Sequence, residues 1–343
     1  HVMARRQRQM CIRDRINSGP IDFKSVLTSA TNQINEAFNR KGKLSGIDTG
    51  FSGLNRQLGG LNKSDLIVLA GRPAMGKTAL ATNIGFNAAK SSNSHQNDAI
   101  LIFSLEMSAE QLAQRILAEQ STIDSHKLRS GDIDEKEFSK LVTTQNNIYN
   151  LPFFIDDTPA ISVGQIASRA RRLKRTSGLG LIVIDYIQLI QGSKASEAQG
   201  RVQEVSSITR GLKSIAKELN VPILALSQLS RAVEQREDKR PILADLRESG
   251  SIEQDADVVM FVYREEYYLD KSEPTQRDNE NQESFNERFI KWQDRRNSAE
   301  GKAEIIISKQ RHGPTGIIQV QFEAKFTRFM DLVQDNRLPD QIY

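Results

Sequence analysis

Apolar positions recur along this chain with two different periods. Between 22 and 40, Phe23, Val26, Leu27, Ala30, Ile34, Ala37 and Phe38 return every three or four residues. That spacing lines up side chains on one helical face, and Asp22 stands where an N-cap belongs. A helix over 22–40 is predicted, cut off by Asn39-Arg40-Lys41-Gly42-Lys43. It packs either on its own domain or on a partner, and the pattern does not choose. After Gly46 short β-branched runs take over: Leu66-Ile67-Val68-Leu69-Ala70, Ala99-Ile100-Leu101-Ile102-Phe103, Leu181-Ile182-Val183-Ile184, Ile223-Leu224-Ala225-Leu226 and Val258-Val259-Met260-Phe261-Val262. They are apolar on both faces, as strands buried in a parallel sheet are. Helical segments lie between them, and Ser108 with Gln111 and Ser162 with Gln165 show capping-box spacing. The alternation predicts an α/β fold with a mostly parallel central sheet flanked by helices. Two late runs, 303–309 and 317–322, flank Gln310-Arg311-His312-Gly313-Pro314-Thr315-Gly316, which predicts a C-terminal β-hairpin.

Charge changes the picture only locally. The chain of 343 residues carries a formal charge of +4, but its first 43 residues hold nine basic groups against three acidic ones. The remaining 300 hold 38 basic and 40 acidic groups, so the basic character belongs to an arm and not to the body. Residues 1–21 show no period and read as a basic disordered arm. Residues 270–300 hold six basic, eight acidic and five apolar residues and read as a solvated insertion. Residues 336–343 read as a tail. No run approaches the ~18 apolar residues of a membrane helix, so no membrane partner is expected. The single cysteine, Cys11, leaves no internal disulfide or Cys-based zinc site, which suggests a reduced, cytoplasmic setting.

Gly71-Arg72-Pro73-Ala74-Met75-Gly76-Lys77-Thr78 fits G-x-x-x-x-G-K-[ST], directly after a predicted strand and opening a helix. Glycines let backbone N–H groups turn inward as an anion nest, the helix N-terminus adds partial positive charge, and Lys77 reaches the terminal phosphates. Thr78 would set its hydroxyl on Mg²⁺. The run 181–184 ends in Asp185, the strand-end carboxylate of a Walker B element, although such an Asp also caps turns. Glu106, beyond the run 100–105, is the candidate base. It doubles as an acidic residue near the start of the next helix. Gln228, after the run 223–227, is a neutral amide placed to report a γ-phosphate.

Taken together, Gly71–Thr78, Phe103-Ser104-Leu105-Glu106-Met107-Ser108, Val183-Ile184-Asp185-Tyr186, Leu226-Ser227-Gln228-Leu229-Ser230-Arg231 and Ser308-Lys309-Gln310-Arg311-His312-Gly313 resemble the DnaB-type replicative helicases of bacteria. The resemblance runs from about 23 to 332 and implies a RecA-like P-loop NTPase over 44–335, behind a linker helix and hinge over 22–43. It implies ATP and Mg²⁺ as cofactors and a homohexameric ring that encircles single-stranded DNA, moves 5′ to 3′ and parts the duplex. Primase and a helicase loader would be partners. By the same resemblance Glu106 is the catalytic base, Asp185 the Mg²⁺ acid and Gln228 the phosphate sensor, while Lys309 and Arg311 serve the neighbouring subunit's nucleotide. Ala79 and Arg115 join the nucleotide-binding set. The family normally carries an N-terminal helical collar of over a hundred residues, and the stretch ahead of the ATPase resembles only its linker helix.

DNA contacts are expected from two segments. The first, from Gly192 to Arg201, contains Lys194 and Arg201 and leads into a helix with Val202, Val205, Ile208, Leu212, Ile215 and Leu219 on one face and Arg210 on another. The second contains Arg247, Glu248 and Gly250, which the resemblance assigns to the DNA backbone. Neither shows the interleaved aromatics of a base-stacking surface, so backbone binding without sequence readout is expected. Two rival functions remain. A strand-exchange or repair ATPase would form filaments, against which the 309–313 hairpin and the linker helix speak. A nucleotide-binding assembly module would not turn over, against which intact Lys77, Thr78, Glu106 and Asp185 speak.

Overall fold

The runs apolar on both faces become the buried middle of a sheet. The computed structural model describes residues 22–39, 44–95, 98–192, 200–246, 250–278 and 280–332. Its strands are β1 (Leu66–Gly71), β2 (Ile100–Ser104), β3 (Phe153–Asp156), β4 (Leu181–Asp185), β5 (Ile223–Gln228), β6 (Val258–Tyr263), β7 (Lys302–Gln310), β8 (Gly316–Glu323) and β9 (Arg328–Asp331). The helices are α1 (Phe23–Asn39), α2 (Ser52–Leu58), α3 (Lys77–His95), α4 (Ala109–Ser121), α5 (Ser125–Ser130) and α6 (Glu135–Ile148). After them come α7 (Val163–Ser177), α8 (Arg201–Leu219), α9 (Gly250–Asp255), α10 (Glu265–Asp270) and α11 (Gln282–Ala299).

The strand order is β3-β2-β4-β5-β1-β6-β7-β8-β9. Pairing is parallel from β3 through β6 and antiparallel from β6 onward. The α/β fold with a mostly parallel sheet and the late hairpin are therefore both present. One sheet face packs on α2, α3 and α4 through Leu54, Leu80, Ile84 and Leu112. The other packs on α7 and α8 through Ile166, Ala170, Val205, Ile208 and Leu212. Truncating one such buried Leu or Ile to Ala typically costs about 2–5 kcal/mol. Both predicted capping boxes exist: the side chains of Ser108 and Ser162 accept from the amides of Gln111 and Gln165. Of the apolar face predicted for α8, only Val202 is exposed, because it stands on the first turn ahead of the packed stretch.

The segment read as a solvated insertion contains α11. Its Trp292 Nε1 donates to the Leu269 carbonyl (3.0 Å), and Arg295 and Arg296 pair with Glu265 and Asp270, so α11 is fastened to α10 by polar contacts. β3 and β9 come from stretches where no strand was predicted. The chain divides into two units, 1–45 and 46–343. In the first, α1 presents Phe23, Val26, Leu27 and Ile34 as exposed side chains.

Candidate nucleotide site

Parallel pairing brings the C-terminal ends of the central strands to one edge of the sheet, where open α/β sheets bind ligands. Gly71 closes β1 opposite Gln228 of β5, and Ser104 closes β2 opposite Asp185 of β4. Beyond β2, the Leu105 amide donates to the Asp185 carbonyl (2.8 Å), and Ser104 Oγ donates to the Met107 carbonyl (2.6 Å). These two bonds turn Glu106 toward the loop that follows β1.

That loop is built by its backbone. Ala74 (φ 66°) and Gly76 (φ 92°) both take the left-handed conformation, which curls peptide N–H groups toward a common point. A Cβ at Gly76 would also stand 2.9 Å from the Phe329 ring, so glycine is required twice over. The Leu80 amide then donates to the Gly76 carbonyl (2.9 Å), starting α3. Met75 is buried in the core.

The result is a cavity of about 330 Å³. Arg72, Pro73, Ala74, Gly76, Lys77, Thr78 and Ala79 line one side, and Glu106, Arg115, Tyr186 and Gln228 the other. Phe322 of β8 and Thr327 of the turn before β9 complete it. Sequence reasoning assigned neither of these two. No local motif marks them, since they arrive from the other end of the domain. Gln188 was also missed: its side chain accepts from the Gln228 amide (3.4 Å) and donates to Ser227 Oγ (3.0 Å). Arg72 is a brace, its guanidinium donating to Glu234 (2.9 Å) and to the Leu229 carbonyl (3.0 Å).

The charges around the cavity are desolvated. Burial pulls the Lys77 ammonium down to about 8, against the opposing pull of Asp185 and Glu106. Burial likewise lowers Arg115. Asp185 is pushed up, first by burial and then by the Glu106 charge, while Thr78, Lys77 and Arg115 favour its ionised form. Two half-buried cations facing one cavity gain most from a multiply charged anion, and a polyphosphate is one. Neither Asp185 oxygen accepts a hydrogen bond of normal geometry, although the Thr78 hydroxyl lies beside it. No cluster of three or more His, Cys, Asp or Glu side chains able to hold a metal occurs among the described residues. One carboxylate and one hydroxyl beside an anion nest are donors that would suit a divalent cation.

Lys309 and Arg311 do not line this cavity. Arg201 is engaged with Glu204 (2.6 Å) and with the Gln188 carbonyl (2.5 Å), and Arg210 folds back on the Ser206 carbonyl (3.2 Å). Gly250 is the first residue of α9. Lys194, Arg247 and Glu248 lie outside the described residues.

Comparison with known proteins agrees with this architecture. A replicative DNA helicase DnaB from Rickettsia bellii is 50% identical over 305 residues, covering 87% of this chain and 60% of the relative. One from Geobacillus stearothermophilus is 45% identical over 324 residues, 94% of this chain and 65% of the relative. The chain thus spans about three fifths of the length of the curated relatives it matches. One solved structure, an isolated ATPase domain, superposes with a TM-score of 0.77 at 33% identity, covering 92% of this chain and all of that one. A DnaB-like replicative helicase, solved with its interactions with primase, gives 0.74 at 33% identity over 92% of this chain and 68% of the other. Residues 46–331 match the model of the DnaB-like helicase C terminal domain, and the chain belongs to that family.

Proposed function

We propose that this chain is the ATPase motor of a replicative DNA helicase, acting in the cytoplasm as a homohexameric ring that moves 5′ to 3′ along single-stranded DNA. The observation that carries the proposal is the convergence of Lys77, Thr78, Glu106 and Arg115 on one cavity with Asp185 behind it. ATP fits there with its phosphates in the 71–79 loop. Mg²⁺ held by Thr78 and Asp185 would offset charge on the phosphate oxygens. Glu106 takes the proton of the attacking water, while Lys77 and Arg115 oppose the charge that gathers on the γ-phosphate. Gln228 sits where the γ-phosphate ends and relays its presence through Gln188. Lys309 and Arg311, lying off their own cavity, serve the adjoining protomer. Arg201, Arg210 and Gly250, with Lys194, Arg247 and Glu248, supply DNA backbone contacts. The solved complex of a similar helicase with primase supports primase as a partner, and a loader would place the ring on DNA.

The test is ATP turnover with and without single-stranded DNA, and unwinding of a forked duplex. Turnover stimulated by DNA and abolished by Lys77→Ala is expected, since the terminal phosphates lose their near ammonium. Nucleotide binding without turnover would identify an assembly module instead. Filaments in place of rings in electron micrographs would identify a strand-exchange ATPase.

A further inference from the structure

Lys309 and Arg311 are both held by the far end of α9. Lys309 Nζ donates to the carbonyls of Glu253 and Ala256, the latter at 2.8 Å. Arg311 Nη2 donates to the Gln254 carbonyl (3.2 Å), and its Nε lies 3.4 Å from Asp257 Oδ1. The Arg311 amide also donates to the Asp257 carbonyl (3.0 Å). Asp257 is itself 3% exposed. Its other oxygen accepts from the Leu66 amide (2.8 Å) and from the Lys213 ammonium. One buried carboxylate thus joins the start of β1, the helix α8 and the turn that carries Arg311.

The physics of the arrangement is one-sided. The last carbonyls of a helix lack partners within it and carry negative partial charge, so they accept cations readily. Two cations two residues apart repel, and burial together with Arg311 lowers Lys309. The α9 carbonyls and Asp257 offset that repulsion and fix where both side chains point. Arg311 keeps 46% of its side chain exposed, so Asp257 grips its inner edge and leaves the outer face of the guanidinium open.

We infer that Asp257 is a positioning residue for Arg311, setting through Nε the outward pose in which the guanidinium meets an adjoining protomer's nucleotide. This rests on reading Arg311 as acting in trans. Asp257 does not line the cavity of its own subunit. Because α9 begins at Gly250, the helix that supports Arg311 at one end carries a proposed DNA contact at the other.

The experiment is a double-mutant cycle in the full chain, read as kcat and KM for ATP with single-stranded DNA present. Asp257→Asn keeps an acceptor for the Leu66 amide and is expected to lower kcat about 10-fold with KM within about twofold. Combined with Arg311→Ala, it should be no slower than Arg311→Ala alone. Independent, multiplying losses would show that Asp257 acts elsewhere and would overturn the inference. Full turnover by Arg311→Ala alone would instead remove the trans reading, and this inference with it. Should the Asn variant not fold, Asp257→Glu, which keeps the charge one methylene farther out, runs the same cycle: no added loss supports the inference, and multiplying losses overturn it.

Discussion

The amide of Leu105 donates to the carbonyl of Asp185 across 2.8 Å, extending the β2–β4 pairing one residue past the strand end. That bond sets Glu106 on the rim of the cavity while Asp185 stays buried beneath it. A carboxylate on the rim can reach a water that the buried one cannot. Glu106→Gln should therefore keep nucleotide binding and slow hydrolysis by about 10²–10⁴-fold. Single-turnover hydrolysis at the wild-type rate would make Glu106 mere helix-start charge.

Glu119 predicts a pH-dependent stability. It is 5% exposed, and burial pushes its carboxyl up to about 7 against Arg328 and Lys90. Its partner Asn83 accepts from the Phe329 amide (2.8 Å) and so fastens β9 to α3. The sign follows from the two pKa values. Below about 4.5 folded and unfolded chains both hold the proton; between 4.5 and about 7 only the unfolded chain releases it, so stability falls as pH rises. Glu119→Gln keeps an acceptor for Asn83 and cannot ionise. It should match the wild type near pH 4.5 and exceed it by about 1–3 kcal/mol at pH 8. Urea unfolding at the two pH values reads the difference, and an equal gap at both would clear Glu119 of the effect.

Arg311 can be tested by mixing subunits. Arg311→Ala protomers keep their phosphate loop, and Lys77→Ala protomers keep their Arg311. An arginine supplied by a neighbour contributes about 10³–10⁵ in rate. Interfaces that pair a sound loop with a sound Arg311 should recover ATPase activity that neither variant shows alone. Absence of recovery at every ratio, with mixed rings confirmed by mass, would assign Arg311 to its own subunit or to no chemistry.

The apolar face of α1 is the expected grip between protomers, because Phe23 and Ile34 are 74% and 70% exposed on their own helix. Deleting residues 1–40 should leave a folded monomer with an unchanged melting profile and poor ring formation. Sedimentation decides the matter: hexamers that persist after the deletion would refute the role.

What the sequence made legible follows burial. Strands β1, β2, β4, β5 and β6 lie inside the sheet, so apart from Asp185, Gln228 and Tyr263 at their C-terminal ends their residues are apolar or small and the runs stood out. β3 is an edge strand, and its Phe154 is exposed; β9 has only four residues, with two of them charged. Neither carries a signal above its surroundings. The same logic governs the site. Lys77 and Thr78 are contiguous and Asp185 ends a buried run, so their chemistry is written locally. Thr327 and Phe322 reach the cavity only because three antiparallel strands fold back beside the parallel ones, and Asp257 meets Arg311 only through a β6–β7 pairing that spacing alone does not reveal.

β1 has no partner near it in the chain. Leu66 pairs with Ile223 on one side, and Ile67 pairs with Val258 on the other. During synthesis the ribosome must therefore pass Gln228 before β1 gains its first neighbour and Tyr263 before it gains the second. Until then both edges of β1 bear unpaired amides and carbonyls, and the loop after it has no frame to hold its turns. The frame of the phosphate loop is thus complete only in a chain already made through β6.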